Sequence, residues 1–151
     1  MRALVQRVSR AAVHIEGRES AAIGTGLLIL VGVEEIDDQE DIDWLVRKII
    51  AMRIFGDEQG NMNYSTIDVK GQLLVVSQFT LHASVKKGNR PNFMRAAKPA
   101  KALELYQLFI AECKKRLSED VFSGEFGANM QVELVNDGPV TIILDSHNRD
   151  M

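Results

Sequence analysis

Hydrophobic positions along this chain switch between two periods. Leu4, Val5 and Val8 stand among polar residues, and Ala12, Val13 and Ile15 resume the extended pattern after Ser9-Arg10. That spacing predicts a hairpin that turns at Ser9-Arg10 and ends near Glu16-Gly17. Gly24 and Gly26 precede Leu27–Val33, a nearly unbroken apolar run that predicts a strand covered on both faces. The period then lengthens. Ile42, Leu45, Ile49 and Met52 fall at helical spacing, predicting a helix over 37–50. Asp37, Asp38, Glu40 and Asp41 crowd its start and Arg47 and Lys48 its end, as the helix dipole favours. The acidic start reads as a solvated face.

Arg53–Phe55 reads as a short strand, 56–63 as a polar turn region, and 72–78 as a strand with Leu73–Val76 free of charge. A long irregular loop follows over 82–99, and loops of that length in compact domains are often functional. Pro99 opens a second helix, with Ala102, Leu105, Phe109 and Cys113 on one face and Lys114-Lys115-Arg116 at its close. Strands are expected around Val121-Phe122, over 130–135 and over 140–144. Strands dominate and two main helices are inserted, so the class is α+β. The domain is expected to span 1–145, with 146–151 a polar, frayed tail.

Composition narrows the function. A chain of 151 residues, 46% hydrophobic and 26% charged, has the size and balance of one ordinary globular domain. Its apolar runs fall short of the roughly 18 residues of a membrane span. The N-terminus lacks the apolar core of a signal peptide. The expectation is a cytoplasmic protein with neither membrane nor DNA as partner. The lone Cys113 excludes an intramolecular disulfide and reads as a packing residue. A net charge of −3 argues against coating a long RNA, since phosphate tracking favours basic surfaces. Contact limited to an RNA end is compatible with it.

Two segments are candidates for chemistry. Ser77-Gln78-Phe79-Thr80-Leu81 lies where a buried strand reaches a rim. Strand alternation places Gln78 and Thr80 on one side, with His82 as a conceivable base for a Thr80 nucleophile. The alternative is that Thr80 simply favours the strand. The second segment is Asn136-Asp137-Gly138-Pro139-Val140-Thr141. It reads either as a hairpin turn joining the last two strands or as a cis-proline device. Three widely spaced histidines and one cysteine predict no metal site, and Gly24-Thr25-Gly26 precedes a strand rather than following one, which opposes a Rossmann site.

Together, and in this order, the two segments resemble the signature motifs of the D-aminoacyl-tRNA deacylases. Lys87-Gly88-Asn89-Arg90-Pro91 also matches the family, and the likeness runs from the N-terminus to Thr141. The resemblance implies a metal-free, cofactor-free homodimer with barrel-like mixed and antiparallel sheets. It would hydrolyse the ester of D-aminoacyl-tRNA, and of glycyl-tRNA. Ser77, Gln78, Phe79 and Thr80 would form the catalytic edge. Gly138 and Pro139, joined by a cis bond, would project into the partner's pocket as a chiral filter, supported by Arg7, Asn136 and Thr141. Phe126, Gly127, Ala128 and Met130 would hold the terminal adenine; packing of a strand entry explains them equally well. Lys86, Lys87 and Arg90 would meet tRNA phosphates or simply be solvated. Two mechanisms stay open, a Thr80 nucleophile and hydrolysis assisted by the tRNA's own 2′-hydroxyl; the second is preferred because nothing evident activates Thr80. The chain departs from many members at His82-Ala83-Ser84-Val85, where small and acidic residues are common. Outside the family, the rivals are a small-ester hydrolase using Thr80 with His82, and a non-catalytic RNA-end binder.

Overall fold

The computed structural model describes residues 1–117 and 121–150. Strand β1 (Arg2–Ile15) runs straight through Ser9-Arg10, so no turn forms there. The turn falls at Glu16-Gly17, both at positive φ (51° and 75°), the two-residue geometry whose twist suits a hairpin. It leads into β2 (Arg18–Ile23), with Ile15 opposite Arg18. β3 (Gly26–Gly32) lies antiparallel along residues 2–8 of β1. β6 (Gln72–Ser77) is parallel to β3, and β7 (Val121–Ser123) is parallel to β6. A small hairpin, β4 (Phe55–Gly56) with β5 (Met62–Tyr64), stands apart from this sheet. β2 comes back against β6 and β7, so the mixed sheet curls into a nearly closed barrel.

The last strand corrects the sequence reading. Instead of two strands joined by a hairpin turn, a single β8 (Met130–Asp145) covers β1 from end to end. Gln6 faces Thr141 and Val8 faces Asn136, so residues 137–140 bulge opposite Arg7 alone. Both halves of β8 pair with the same neighbour, which is why Gly138-Pro139 cannot reverse the chain.

Alternation on two-sided strands explains the unbroken apolar runs. Leu27, Ile29, Val31, Leu73 and Val75 face the helices, where they meet Ile42, Leu45 and Ile49 of α1 (Gln39–Ala51) and Leu105, Phe109 and Cys113 of α2 (Pro99–Arg116). Leu28, Leu74 and Val76 face the other way, into a second cluster with Val8, Val13 and Ile23 inside the barrel. Each buried side chain of this size contributes about 1.5–3 kcal/mol. Cys113 is packing, as expected; burial pushes its thiol up to about 12.

The acidic start of α1 is not a solvated face. Asp38 caps the helix in a reciprocal box with Asp41. Asp37 and Asp41 are buried. Asp37 accepts from the Met1 ammonium at 2.5 Å and from the Glu34 amide at 2.6 Å, with His147 Nε2 2.7 Å away. The polar tail docks for the same reason. Ser146 is buried and its hydroxyl accepts from the Met1 ammonium at 2.8 Å, while Arg149 lies 5.1 Å from the centre of the Trp44 ring. Met151 lies outside the described residues.

Candidate active site

β6 carries the first candidate segment to the rim. Gln78 N–H still donates to Val31 at 2.7 Å, extending the parallel ladder by one residue. The chain then coils into a 3-10 turn over Phe79–His82. Strand alternation therefore stops at Gln78, and the expected Gln78–Thr80–His82 face does not exist. Gln78 does reach Thr80, donating from Nε2 to Oγ1 at 2.5 Å. His82 turns inward and is fully buried, Nδ1 3.3 Å from Glu34 Oε1. Burial lowers its pKa, against the pull of the Gly32 backbone and Glu34, so the ring is neutral at pH 7. It offers Thr80 no base.

The first two N–H groups of a helical turn have no partner within it. Among the described residues, those of Phe79 and Thr80 have no acceptor. They sit beside a cleft of about 710 Å³ lined by Ser77, Gln78 and Phe79 on one side and by Phe126, Gly127, Ala128 and Met130 on another. Thus the expected adenine-site residues and the end of β6 share one cavity. Thr80 is exposed just outside the lining. Its floor includes Tyr106, which donates its hydroxyl to Val75 at 2.8 Å and lies 5.8 Å ring-to-ring from Phe126. Burial pushes that phenol up to about 12, so it remains a donor.

Sequence reasoning missed Tyr106 and Phe93. Tyr106 is next to Leu105 on α2, off the apolar stripe that marked the helix. Phe93 lies in an aperiodic loop, yet packs edge-on against Phe79 at 5.0 Å and lines the cleft. It also missed the layer behind the turn. Arg2 donates to the Leu81 carbonyl at 3.0 Å, and Arg95 holds Glu34 at 2.7 Å. Glu34, Asp37 and His147 bring ligand-type atoms within 4.8 Å of one another, a cluster that the wide histidine spacing concealed. The Met1 ammonium already sits on Asp37 there.

The second segment is built elsewhere. Within the bulge of β8 the Gly138-Pro139 peptide bond is cis, and Gly138 has φ +128°. Asn136 closes the bulge with both ends of its amide: Oδ1 accepts from Val140 N–H at 3.0 Å, and Nδ2 donates to Thr141 Oγ1 at 2.9 Å. Arg7 braces it from β1, donating from Nε to the Asp137 carbonyl at 3.0 Å and from Nη1 to the Ile54 carbonyl at 2.5 Å. Arg7, Asn136, Gly138, Pro139 and Thr141 thus form one unit, and none of them lines the cleft of their own chain.

A hydroxyl-bearing strand end with free backbone donors beside an apolar cleft suits acyl-ester chemistry. The family model for D-Tyr-tRNA(Tyr) deacylase matches residues 4–145, and the chain belongs to that family. It is 59% identical to a D-aminoacyl-tRNA deacylase of Akkermansia muciniphila, over 99% of this chain and 100% of that one. A D-aminoacyl-tRNA deacylase of Flavobacterium johnsoniae is 57% identical over the same shares. Among solved structures, a c-Myc DNA unwinding element binding protein superposes with a TM-score of 0.92 at 42% identity, covering 96% of this chain and 98% of that one. A probable eukaryotic D-amino acid tRNA deacylase shares the fold, with a TM-score of 0.74 at 16% identity over 95% and 97% of the two chains.

Proposed function

We propose that this chain hydrolyses the ester of D-aminoacyl-tRNA and of glycyl-tRNA in the cytoplasm, acting as a homodimer without metal or cofactor. The observation that carries the reading is the separation of the two motifs. One chain has a cleft with a donor edge at 77–80, and a braced bulge at 136–141 that has no part in that cleft. A second copy supplies what is missing: its Gly138-Pro139 bulge faces the first copy's cleft, and the reverse.

In this arrangement Phe126, Gly127, Ala128 and Met130 hold the terminal adenine. The ester carbonyl lies against the N–H groups of Phe79 and Thr80, which stabilise the oxyanion. Water adds to the carbonyl carbon, the bond to the ribose oxygen breaks, and that oxygen leaves with a proton. The neighbouring 2′-hydroxyl of the tRNA positions the water. Thr80 is not the nucleophile in this scheme, since its hydroxyl is engaged by Gln78 and His82 is buried away from it. The partner's bulge reads chirality. An L side chain would strike it, a D side chain points to solvent, and glycine has nothing to strike. Rejection by collision needs no affinity for any particular side chain.

The test is hydrolysis of matched D- and L-tyrosyl-tRNA by chelator-treated protein. The expected result is D over L by at least about 100-fold, or ~2.7 kcal/mol. Hydrolysis of neither ester would overturn the reading in favour of an RNA-end binder. Hydrolysis of simple D-amino acid esters as fast as the tRNA ester would favour a small-molecule hydrolase.

A further inference from the structure

The 79–82 segment is a single 3-10 turn, too short to hold its own orientation by helical hydrogen bonds alone. Its entry is fixed to β3 by the Gln78 N–H. Its exit is fixed from another direction. Arg2, the first residue of β1, donates from Nη1 to the Leu81 carbonyl at 3.0 Å. The same guanidinium donates from Nε to Asp145 Oδ2 at 2.7 Å. Asp145 closes β8, and its other carboxylate oxygen accepts from the His147 amide at 3.0 Å. Burial by itself would raise the Asp145 pKa, but the hydrogen bonds from Arg2 and His147 and the charge of Arg2 bring it below the ordinary value, so the pair is ionised at pH 7.

Strand register explains why these groups meet. Asp145 of β8, Arg2 of β1 and Gly32 of β3 are directly paired across three neighbouring strands. Directly opposed residues share one face of a sheet. On that face a Cβ at Gly32 would lie 2.9 Å from the Gln78 carbonyl oxygen and 3.0 Å from the His82 ring, so it is the face against which the turn packs. The glycine leaves room for the turn, and Arg2 reaches its far end from the next strand. The side chain of Asp145 is only 6% exposed, which fixes the carboxylate. That carboxylate takes one edge of a planar guanidinium and thereby aims another of its N–H groups at Leu81.

We propose that Arg2, oriented by Asp145, is a positioning residue for the hydrolysis: by holding the Leu81 carbonyl it sets the tilt of the turn, and with it the direction of the Phe79 and Thr80 N–H groups. The proposal rests on the reading above, in which those two groups receive the oxyanion. Such donors act only within hydrogen-bond distance of the developing charge, and a displacement of about 1 Å can cost about 100-fold in rate. Arg2 does not line the cleft, so it acts on the substrate through the turn alone. The Gly138-Pro139 bulge lies opposite Arg7, further along β1, so discrimination between D and L esters belongs to other residues.

The experiment is a double-mutant cycle on kcat with D-tyrosyl-tRNA, comparing wild type, Arg2→Gln, Asp145→Asn and the double variant, each with its urea midpoint. Arg2→Gln should lower kcat by about 10-fold, with KM and the preference for D over L little changed. Asp145→Asn should lower kcat by about 3-fold, and the double variant should fall no further than Arg2→Gln, since the carboxylate acts only through the guanidinium. Arg2→Lys keeps the charge but not the fork, and it covers the case in which Arg2→Gln does not fold. Its kcat should stay below about a third of the wild-type value. Wild-type kcat in folded variants of lower midpoint would make the pair purely structural and overturn the proposal. So would a rise in KM with kcat intact, which would place Arg2 in binding. Multiplying effects in the double variant would overturn it too, because the two residues would then act independently. A wild type that spares both esters sinks the reading of the site and this proposal with it. A wild type that hydrolyses the D ester at the same kcat as its variants loses only the proposal.

Discussion

The turn at 77–82 and the bulge at 136–141 are both places where strand pairing lapses, but they lapse in opposite ways. β6 ends, and its continuation leaves two backbone donors free, with Phe79 and Thr80 exposed. β8 does not end. It steps aside for a few residues and rejoins the same neighbour. There the amide of Asn136 satisfies both sides of the bulge, and the guanidinium of Arg7 donates to its Asp137 carbonyl and, on the other side, to the Ile54 carbonyl. One region offers unsatisfied chemistry; the other has committed its polar groups to holding a shape. The reaction proposed above, which must both polarise a carbonyl and sense the arrangement at the next carbon, would use one of each: an open edge to react and a stiff one to sense.

Attacking the stiff element should have the largest effect. Gly138→Val places a Cβ where it would lie 2.8 Å from Arg7 Nη2 and 2.9 Å from Val140 Cγ2, at a φ of +128° that L residues rarely adopt. Backbone strain of that kind costs about 1–3 kcal/mol. Because the bulge is flanked by intact pairing on both sides, the expected outcome is a folded protein whose preference for the D over the L ester is smaller by about 100-fold, ~2.7 kcal/mol in the difference between the two barriers. Steady-state kinetics on matched D- and L-tyrosyl-tRNA, with circular dichroism to confirm the fold, would decide. A folded variant that still spares the L ester would mean that the bulge does not meet the substrate.

A step down in size is a blow to the turn from below. Gly32 underlies it: an added Cβ would sit 2.9 Å from the Gln78 carbonyl oxygen and 3.0 Å from the His82 ring. Gly32→Ala should displace the turn by tenths of an ångström and lower kcat by about 10-fold, ~1.4 kcal/mol, with KM little changed. An effect on KM alone would place the turn in binding rather than in chemistry. Smaller still is Thr80→Ala. It removes one hydrogen bond, from Gln78, of about 0.5–1.5 kcal/mol, and should keep more than about a tenth of the activity. Activity at the uncatalysed rate would restore Thr80 as nucleophile and break the contrast drawn between the two regions.

The same contrast explains what was legible in the sequence. Periodicity reports burial, so it found β3, β6, α1 and α2, whose apolar stripes meet the two cores. It could not see that residues 130–135 and 140–144 belong to one strand. The segment between them reads as turn chemistry, and only the shared partner β1 shows that the chain continues in the same direction. Nor could it see where alternation stops. Gln78 and Thr80 look like strand residues until the 3-10 turn rotates His82 into the interior. The acidic start of α1 misled for a related reason: Asp37 is matched with the Met1 ammonium and His147, partners 36 and 110 residues away in the chain, which no local pattern records. The candidate site residues were named from the motifs they form. The cleft that joins 77–79 to 126–130 came from tertiary packing.

The smallest predicted effect concerns the residue that closes the turn against the core. His82 is buried and neutral, facing Glu34, with Arg2 and the Met1 ammonium adding positive field nearby. Burial holds its pKa below the ordinary value near 6.5. The unfolded chain then binds this proton more readily than the folded one. Stability from the neutral ring is fully present above about pH 6.5 and is lost as the pH falls from there toward the folded pKa. The depressed carboxylates Asp41 and Asp145 act in the same sense but lower, beneath their unfolded value of about 3.9. The midpoint of urea unfolding should therefore fall between about pH 7.5 and about pH 5.5, and fall less in His82→Gln, which has no such proton to bind. The difference between the two proteins isolates the His82 ring. Equal slopes for the two proteins would mean that the ring takes up its proton as readily in the folded chain as in the unfolded one. A steeper fall in the variant than in the wild type would mean that His82 is held charged beside Glu34, and the turn carrying Phe79 and Thr80 would then rest on a charged layer, its donors feeling a positive field from beneath as well as their own dipoles.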